Sequence, residues 1–477
     1  MERGTNQGDD MRAFRGFRAA ALLCLSTITT TRAELEWSAY VEQGGQLFPS
    51  MIVATATVKP DEEEQDPALL GDPYGLIGAV VWEAPAGAKL KLVVKGGKWF
   101  GESVEEATVE EAGDYAIYPQ IAWEYDALLQ ARQVQPANVV MELFVDGKPA
   151  GRKTKVVTLR SLNDCPIYLQ PANAEGKPAE TEDEVETEGE DLSFMFAAYV
   201  NENHPWVDQI TKEALEAGIV DSFTGYQSED PDEVFKQVFA IWNIMQRRGM
   251  KYSDITTSSA EGGLVLSQHV RLFDEAVSAK QANCVDGTVL FASILRKINI
   301  TPYLVMVPGH MYLAFDLDEE GETTLALETT MMGATDLKKV GGKKMSAELL
   351  EAHKNDASFE AFNAALETGT QNLMENAEKF QSEDPEHAQF QLISVAEARK
   401  MGILPLPPPP KRNKKGGAVS SATRMRNSRF TAIAACVQAL RPLARSTTPW
   451  ATSFALSTMA SAVLRARLTP LSAACSA

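Results

Sequence analysis

The chain has 477 residues, with 65 Asp and Glu against 45 Lys and Arg, a net charge of −20. That length accommodates two or three domains with cores of their own, and 44% hydrophobic with 23% charged residues is ordinary globular content. The acidity excludes a general nucleic-acid binder, because a phosphate backbone repels it, and five cysteines exclude a disulfide-rich scaffold.

Charge is unevenly spread. Residues 411–477 hold eleven Lys or Arg and no acid, which leaves residues 1–410 at −31. The break follows Pro407-Pro408-Pro409-Pro410. At the other end, Arg12, Arg15 and Arg18 precede the apolar run Ala19 to Leu25 and a small-residue cleavage site at Thr31-Arg32-Ala33. Residues 1–33 therefore read as a signal peptide, with Met11 as an alternative start, and imply a periplasmic or secreted protein. The run is too short to span a bilayer.

Residues 34–165 read as an all-β, immunoglobulin-like sandwich. Strand-like runs recur at Leu47 to Val58, Leu76 to Trp82, Leu90 to Val94, Tyr115 to Trp123, Val139 to Val145 and Thr154 to Leu159. Asp146-Gly147 between the last two is a hairpin signal. Residues 166–191 read as an acidic linker, with eight of the twelve residues from Glu180 to Asp191 acidic.

Residues 192–408 read as an α+β domain. Helical periodicity covers Val207 to Ala217, Pro231 to Arg247, Cys284 to Lys297, Ala347 to Lys354, Phe359 to Lys379 and Val395 to Met401. Strands are expected at Tyr303 to Val307, Met311 to Leu317 and Thr324 to Thr329, with short connections that favour antiparallel pairing. Residues 409–477 read as a basic disordered tail. Its least charged stretch, Ser446 to Leu464, holds eight Ser or Thr and one Pro, so no stable membrane span is expected.

Chemistry concentrates in the α+β part. Outside the signal and tail only Cys165 and Cys284 remain. Cys284 opens an apolar helix, where free N–H groups and the helix dipole favour thiolate over thiol. Of the five histidines only His310 follows a turn, Pro308-Gly309, at the head of a strand. Glu328 ends the next strand, so a hairpin brings its carboxylate toward His310. A thiol nucleophile needs such a base and a group to orient it.

The stretch from Val270-Arg271-Leu272-Phe273-Asp274-Glu275 through Asn283-Cys284-Val285-Asp286 to Pro308-Gly309-His310 and Leu327-Glu328-Thr329-Thr330 resembles the bacterial transglutaminase-like domains of the papain-like cysteine superfamily. Val234 to Arg247 running into Met250-Lys251-Tyr252, and Ile393 to Ile403, resemble the start and end of such domains. The resemblance covers about residues 200–405, with its specific part at 270–330. It implies a Cys-bearing helix on an antiparallel sheet, Cys284 as nucleophile, His310 as general base then acid, Glu328 as orienter and Asp286 as a helix cap. This chain departs from the pattern at Gly287, where many relatives carry a larger apolar residue, at Met311-Tyr312, and in having Glu328 in place of an Asp.

The backbone N–H of Cys284 and the side chains of Gln268 and Gln281 are candidate oxyanion donors. No His-x-x-x-His or Cys-x-x-Cys spacing occurs, so neither a metal nor a cofactor is expected. The function this implies is an exported thiol enzyme acting on peptide or isopeptide amides, by hydrolysis or transamidation, with a protein or peptide substrate. Two rival readings are a catalytically silent cell-envelope interaction module that retains the fold, and a Cys165–Cys284 disulfide that blocks the nucleophile.

Overall fold

The computed structural model describes residues 35–58, 66–173, 177–254, 263–341 and 345–408. The expected signal segment, the basic tail and most of the acidic run Asp61 to Asp66 lie outside the described residues.

The N-terminal part is built on two sheets. One has the order β1 (Trp37–Val41), β4 (Ile77–Ala84), β7 (Gly113–Tyr118), β3 (Leu69–Gly71). The other has the order β2 (Gln46–Leu47), β9 (Lys148–Leu159), β8 (Gln135–Val145), β5 (Lys89–Lys95), β6 (Ser103–Thr108). Alternate residues of β8 are buried at Ala137, Val139, Met141 and Leu143, the two-residue period of a strand with one face inside. They join Val81 and Ile117 of the first sheet in one core. The β8–β9 hairpin turns at Asp146 and Gly147, with φ of 50° and 77°, as an Asp-Gly turn requires.

Helical turns α1 (Glu42–Gly45), α2 (Pro49–Ala54) and α3 (Tyr125–Leu128) fill the connections. The strand expected across Leu47 to Val58 stops at Leu47 and gives way to α2. Pro49 stands at its start; proline lacks an N–H for a ladder and its fixed φ suits a first helical turn. All six α2 residues are buried, and Ser50 donates to the Asp164 carbonyl at 2.6 Å.

Between the two regions, β10 (Asp164–Leu169) pairs antiparallel with β11 (Glu190–Asp191) and with β13 (Val265–His269). The expected boundary at 165/166 thus falls inside a strand, and the acidic segment starts and ends in one sheet. The apolar core is also continuous across it, from Leu47 and Met51 through Phe196 and Tyr199 to Val289 and Leu406. Residues 404–406 close the junction: Leu404 donates its N–H to the Ala54 carbonyl at 2.7 Å and Leu406 to that of Ala198 at 2.8 Å.

The second region centres on an antiparallel sheet ordered β17 (Thr324–Leu327), β16 (His310–Asp316), β15 (Pro302–Val307), β18 (Gln391–Ser394). Helices α4 (Pro205–Glu216), α5 (Pro231–Arg248), α6 (Phe273–Ala279), α7 (Cys284–Lys297), α8 (Ala347–Glu375) and α9 (Val395–Lys400) surround it. Met311, Leu313 and Phe315 share the main core with α7, while Tyr312 and Ala314 pack with Leu373 of α8 in a second cluster. α8 is one helix of 29 residues where two were expected. The polar stretch Asn355 to Ser358 resembles a break, yet it contains no Gly or Pro, and Ser358 is buried and bonded to Gln246 at 2.6 Å. A short parallel pair, β12 (Lys251–Tyr252) with β14 (Gln281–Ala282), leads into α7.

Candidate active site

Cys284 is the first residue of α7, so its N–H has no intrahelical acceptor. The helix starts there because of a reciprocal cap. The Asn283 side chain accepts the Asp286 N–H at 2.8 Å, and the Asp286 carboxylate accepts the Asn283 N–H at 3.1 Å. Asp286 is 0% exposed and also receives the Arg271 guanidinium at 2.6 Å and the Arg271 N–H at 2.8 Å. A buried carboxylate is tolerated when paired and bonded in this way. The thiol is thereby held on a brace that ties α7 to the segment before α6.

His310 is placed by the β15–β16 turn. Val307 pairs with His310 across Pro308-Gly309, and Gly309 has φ of +71°, the left-handed position that a Pro-Gly turn needs. The His310 ring stacks near Tyr312 with centroids 6.1 Å apart. Tyr312 is fully buried, so it forms a fixed floor beneath the imidazole.

Glu328 follows β17, whose Leu327 pairs with Leu313. Its Oε2 lies 2.7 Å from His310 Nε2. Its Oε1 accepts the Thr330 hydroxyl at 2.5 Å and the Thr330 N–H at 3.1 Å. Its side chain is 6% exposed against 31% for His310, so the acid is inside and the base at the surface of the site. Burial opposes ionisation of Glu328, but bonds from His310 and Thr330 outweigh it and leave the carboxyl below its ordinary range. The His310 pKa is raised to about 10, first by its hydrogen bond with the Cys284 side chain and then by that with Glu328. The imidazole therefore has both the sulfur and the carboxylate as neighbours, and both favour its protonated form.

The structure thus brings the three expected residues together in one constellation. It also accounts for Gly287. A Cβ there would lie 2.8 Å from Thr329 Oγ1 and 3.1 Å from Thr329 Cβ. The glycine lets the Cys helix approach the turn that carries Glu328.

Gln268 and Gln281 stand apart from it. Gln268 donates its amide to the His269 carbonyl at 3.1 Å, Gln281 is exposed on β14, and neither amide bonds a member of the trio. Tyr252, not singled out from sequence as a site residue, is closer. It pairs with Ala282 two residues before the thiol, and its phenol pKa is raised, by partial burial first and then by Asp254, Cys284 and Glu328. Its place just after the α5 terminus was the available signal. The Cys165 and Cys284 thiols are both free. Cys165 is fully buried in β10, and burial pushes its pKa up, the state of an inert structural thiol.

Among the described residues no cluster of His, Cys, Asp or Glu is arranged to hold a metal ion, and no helix is long and apolar enough to cross a membrane. No protein-family model matches the chain and no curated protein sequence matches it.

Proposed function

We propose that this chain is an exported thiol enzyme with a transglutaminase-like domain, joined to an N-terminal immunoglobulin-like domain, that acts on peptide or isopeptide amides. The observation that carries the reading is His310 bonded to Glu328 at 2.7 Å with the Cys284 side chain as its other polar neighbour. The basic and apolar segment before Glu34 supports export to the periplasm or beyond.

In this reading Cys284 attacks as the thiolate. Its sulfur bonds to the amide carbonyl carbon, the carbonyl π pair moves onto oxygen, and the Cys284 N–H faces that oxyanion. Collapse breaks the C–N bond, and the leaving amine takes the proton from His310. The thioester is then opened by water or by an amine, whose proton His310 receives as the thiolate leaves. Glu328 stays ionised throughout and keeps the ring oriented. Water as acceptor gives a peptidase or amidase, and an amine gives a cross-link.

The test is to incubate the full chain with a panel of glutamine-bearing and isopeptide-linked peptides in the presence of hydroxylamine. The reading expects a peptide hydroxamate and released amine with hydroxylamine and, in a parallel incubation without it quenched in acid, an acyl adduct on the Cys284 peptide by mass spectrometry, all absent in Cys284→Ala. Release that persists in Cys284→Ala, or no adduct from any peptide alongside an ordinary Cys284 thiol, favours the silent interaction module.

A further inference from the structure

The segment Val270-Arg271-Leu272 runs between β13 and α6, and its middle residue holds the cap of the Cys284 helix. Arg271 gives both its N–H and its guanidinium to Asp286, and Asp286 reaches back to Asn283, the residue before the thiol. The position of Arg271 therefore sets the position of the first turn of α7. The residues on either side of Arg271 are in turn fixed from outside the thiol domain.

Asn163 lies in the turn that joins β9 to β10, within the stretch read from sequence as the N-terminal domain, and is 3% exposed. It meets Val270 twice. The Val270 N–H donates to the Asn163 carbonyl at 2.8 Å, and the Asn163 side-chain amide donates to the Val270 carbonyl at 2.9 Å. The same amide donates to Glu275 Oε2 at 2.7 Å, and that oxygen accepts the Leu272 N–H at 3.0 Å. One side chain thus ties down both neighbours of Arg271.

That side chain is itself oriented by the N-terminal region. Arg132, a few residues after α3, donates to Asn163 Oδ1 at 3.2 Å and to Glu275 Oε1 at 3.2 Å. A guanidinium only donates and an ionised carboxylate only accepts, so together they admit one orientation of the amide, oxygen toward Arg132 and nitrogen toward Val270. The Leu162 N–H on the Ala131 carbonyl, at 2.7 Å, holds the two turns side by side. A buried amide bonded through both its nitrogen and its oxygen is rigid, and removing a partner leaves a buried group unpaired.

Resting on the thiol-enzyme reading, we propose that Asn163 and Arg132 are positioning residues for Cys284, supplied to the thiol domain by the N-terminal region and acting through residues 270–272, Asp286 and Asn283. The reactive geometry then belongs to the two regions together. A cap that drifts carries the start of α7, and the sulfur with it, away from His310, and loosens the turn that favours the thiolate.

The experiment is the pH profile of Cys284 alkylation by iodoacetamide in the full chain, for the wild type, Asn163→Asp and the control Val139→Ala. The first variant keeps an acceptor for Arg132 but sets a second oxygen against the Val270 carbonyl and Glu275. Its rate at pH 6 should fall about five-fold, while its rate near pH 10, where an ordinary thiol is ionised too, should stay within about two-fold of the wild type. Val139→Ala destabilises the N-terminal core by loss of buried methyls and should leave the profile unchanged. Arg132→Gln, at a half-buried side chain, should give a smaller fall at pH 6, and it carries the test if Asn163→Asp does not fold. Adding Glu275→Gln to Asn163→Asp places a donor opposite the new carboxylate and should return part of the pH 6 rate. A fast wild-type rate at pH 6 that neither Asn163→Asp nor Arg132→Gln lowers, or that Val139→Ala lowers equally, overturns the positioning role and leaves the thiol-enzyme reading standing. A wild-type profile of an ordinary thiol counts against that reading, and the positioning role falls with it.

Discussion

Carboxyl groups in the two regions show two opposite ways of holding a partly or fully buried acid. In the N-terminal sheets, Asp72 has its pKa raised to about 6, chiefly by burial, and Glu42 is raised by burial despite the Tyr118 hydroxyl at 2.7 Å. In the second region Glu328 is buried where Asp72 and Glu42 are half-buried, yet its carboxyl falls below the ordinary range because His310 and Thr330 face it. Burial alone makes a carboxyl a reluctant ion, whereas burial with a preorganised cation and donors makes it a fixed one. Only the second arrangement suits the proposed catalysis, in which charge must be in place before the substrate arrives. The first reads as architecture: the N-terminal sheets carry surface pairs such as Lys91 with Glu106, and no triad of nucleophile, base and acid occurs among their described residues.

The largest contrast should come from removing the charge on each side. Glu328→Gln should lower Cys284 alkylation at pH 6 by about ten-fold or more, since the imidazolium loses its partner, whereas Glu42→Gln should leave it unchanged. Equal loss in both would erase the distinction.

Stability against pH should separate Glu328 from Asp72 by sign. The raised His310 pKa contributes stability that is full below its ordinary value of 6.5 and is lost as pH rises through about 10. Glu328 contributes above its ordinary value of 4.5 and its share is lost as pH falls through its lowered pKa. Asp72 runs the other way from Glu328, because its folded pKa is raised from 3.8 to about 6, so ionising it costs stability as pH rises through 6. Asp72→Asn should therefore raise thermal stability at pH 7.5, on the order of 1 kcal/mol, with little change near pH 3.5. Urea unfolding at the two pH values reads this directly, and no gain at pH 7.5 would remove the contrast.

The smallest expected effect is Gly287→Ala. The added methyl presses on Thr329 and pushes the Cys helix from the turn holding Glu328. A cost of about 1 kcal/mol should accompany a few-fold slower alkylation. Thr329→Ala in the same chain removes Oγ1, the nearer of the two opposing atoms, and should restore part of both; no restoration would place the effect elsewhere.

How much of this the sequence showed depended on whether the signal was local. The helix from Cys284 to Lys297 was readable end to end, because cap and apolar run sit side by side. The Asp146-Gly147 hairpin was readable for the same reason. The order of Cys284, His310 and Glu328 could be placed because short loops link the elements that carry them. Less legible were features decided at a distance. Pro49–Ala54 has β-branched residues and reads as strand, but its proline and burial on every side turn it into a helix. The join between regions read as a loose acidic segment because its partner strand, β13, lies about 100 residues on. Tyr252 was overlooked as a site residue because only the parallel pairing of Lys251–Tyr252 with Gln281–Ala282 brings it to the thiol.

The central claim is that His310 is a cation bound to Cys284. The most direct test is the pH dependence of iodoacetamide labelling at Cys284 in the full chain, beside His310→Ala. The account predicts rapid labelling well below pH 8 in the wild type, and a rate at pH 6 lower by on the order of 10²-fold in the variant. Labelling that follows an ordinary thiol in both proteins, with no effect of the substitution, would contradict it.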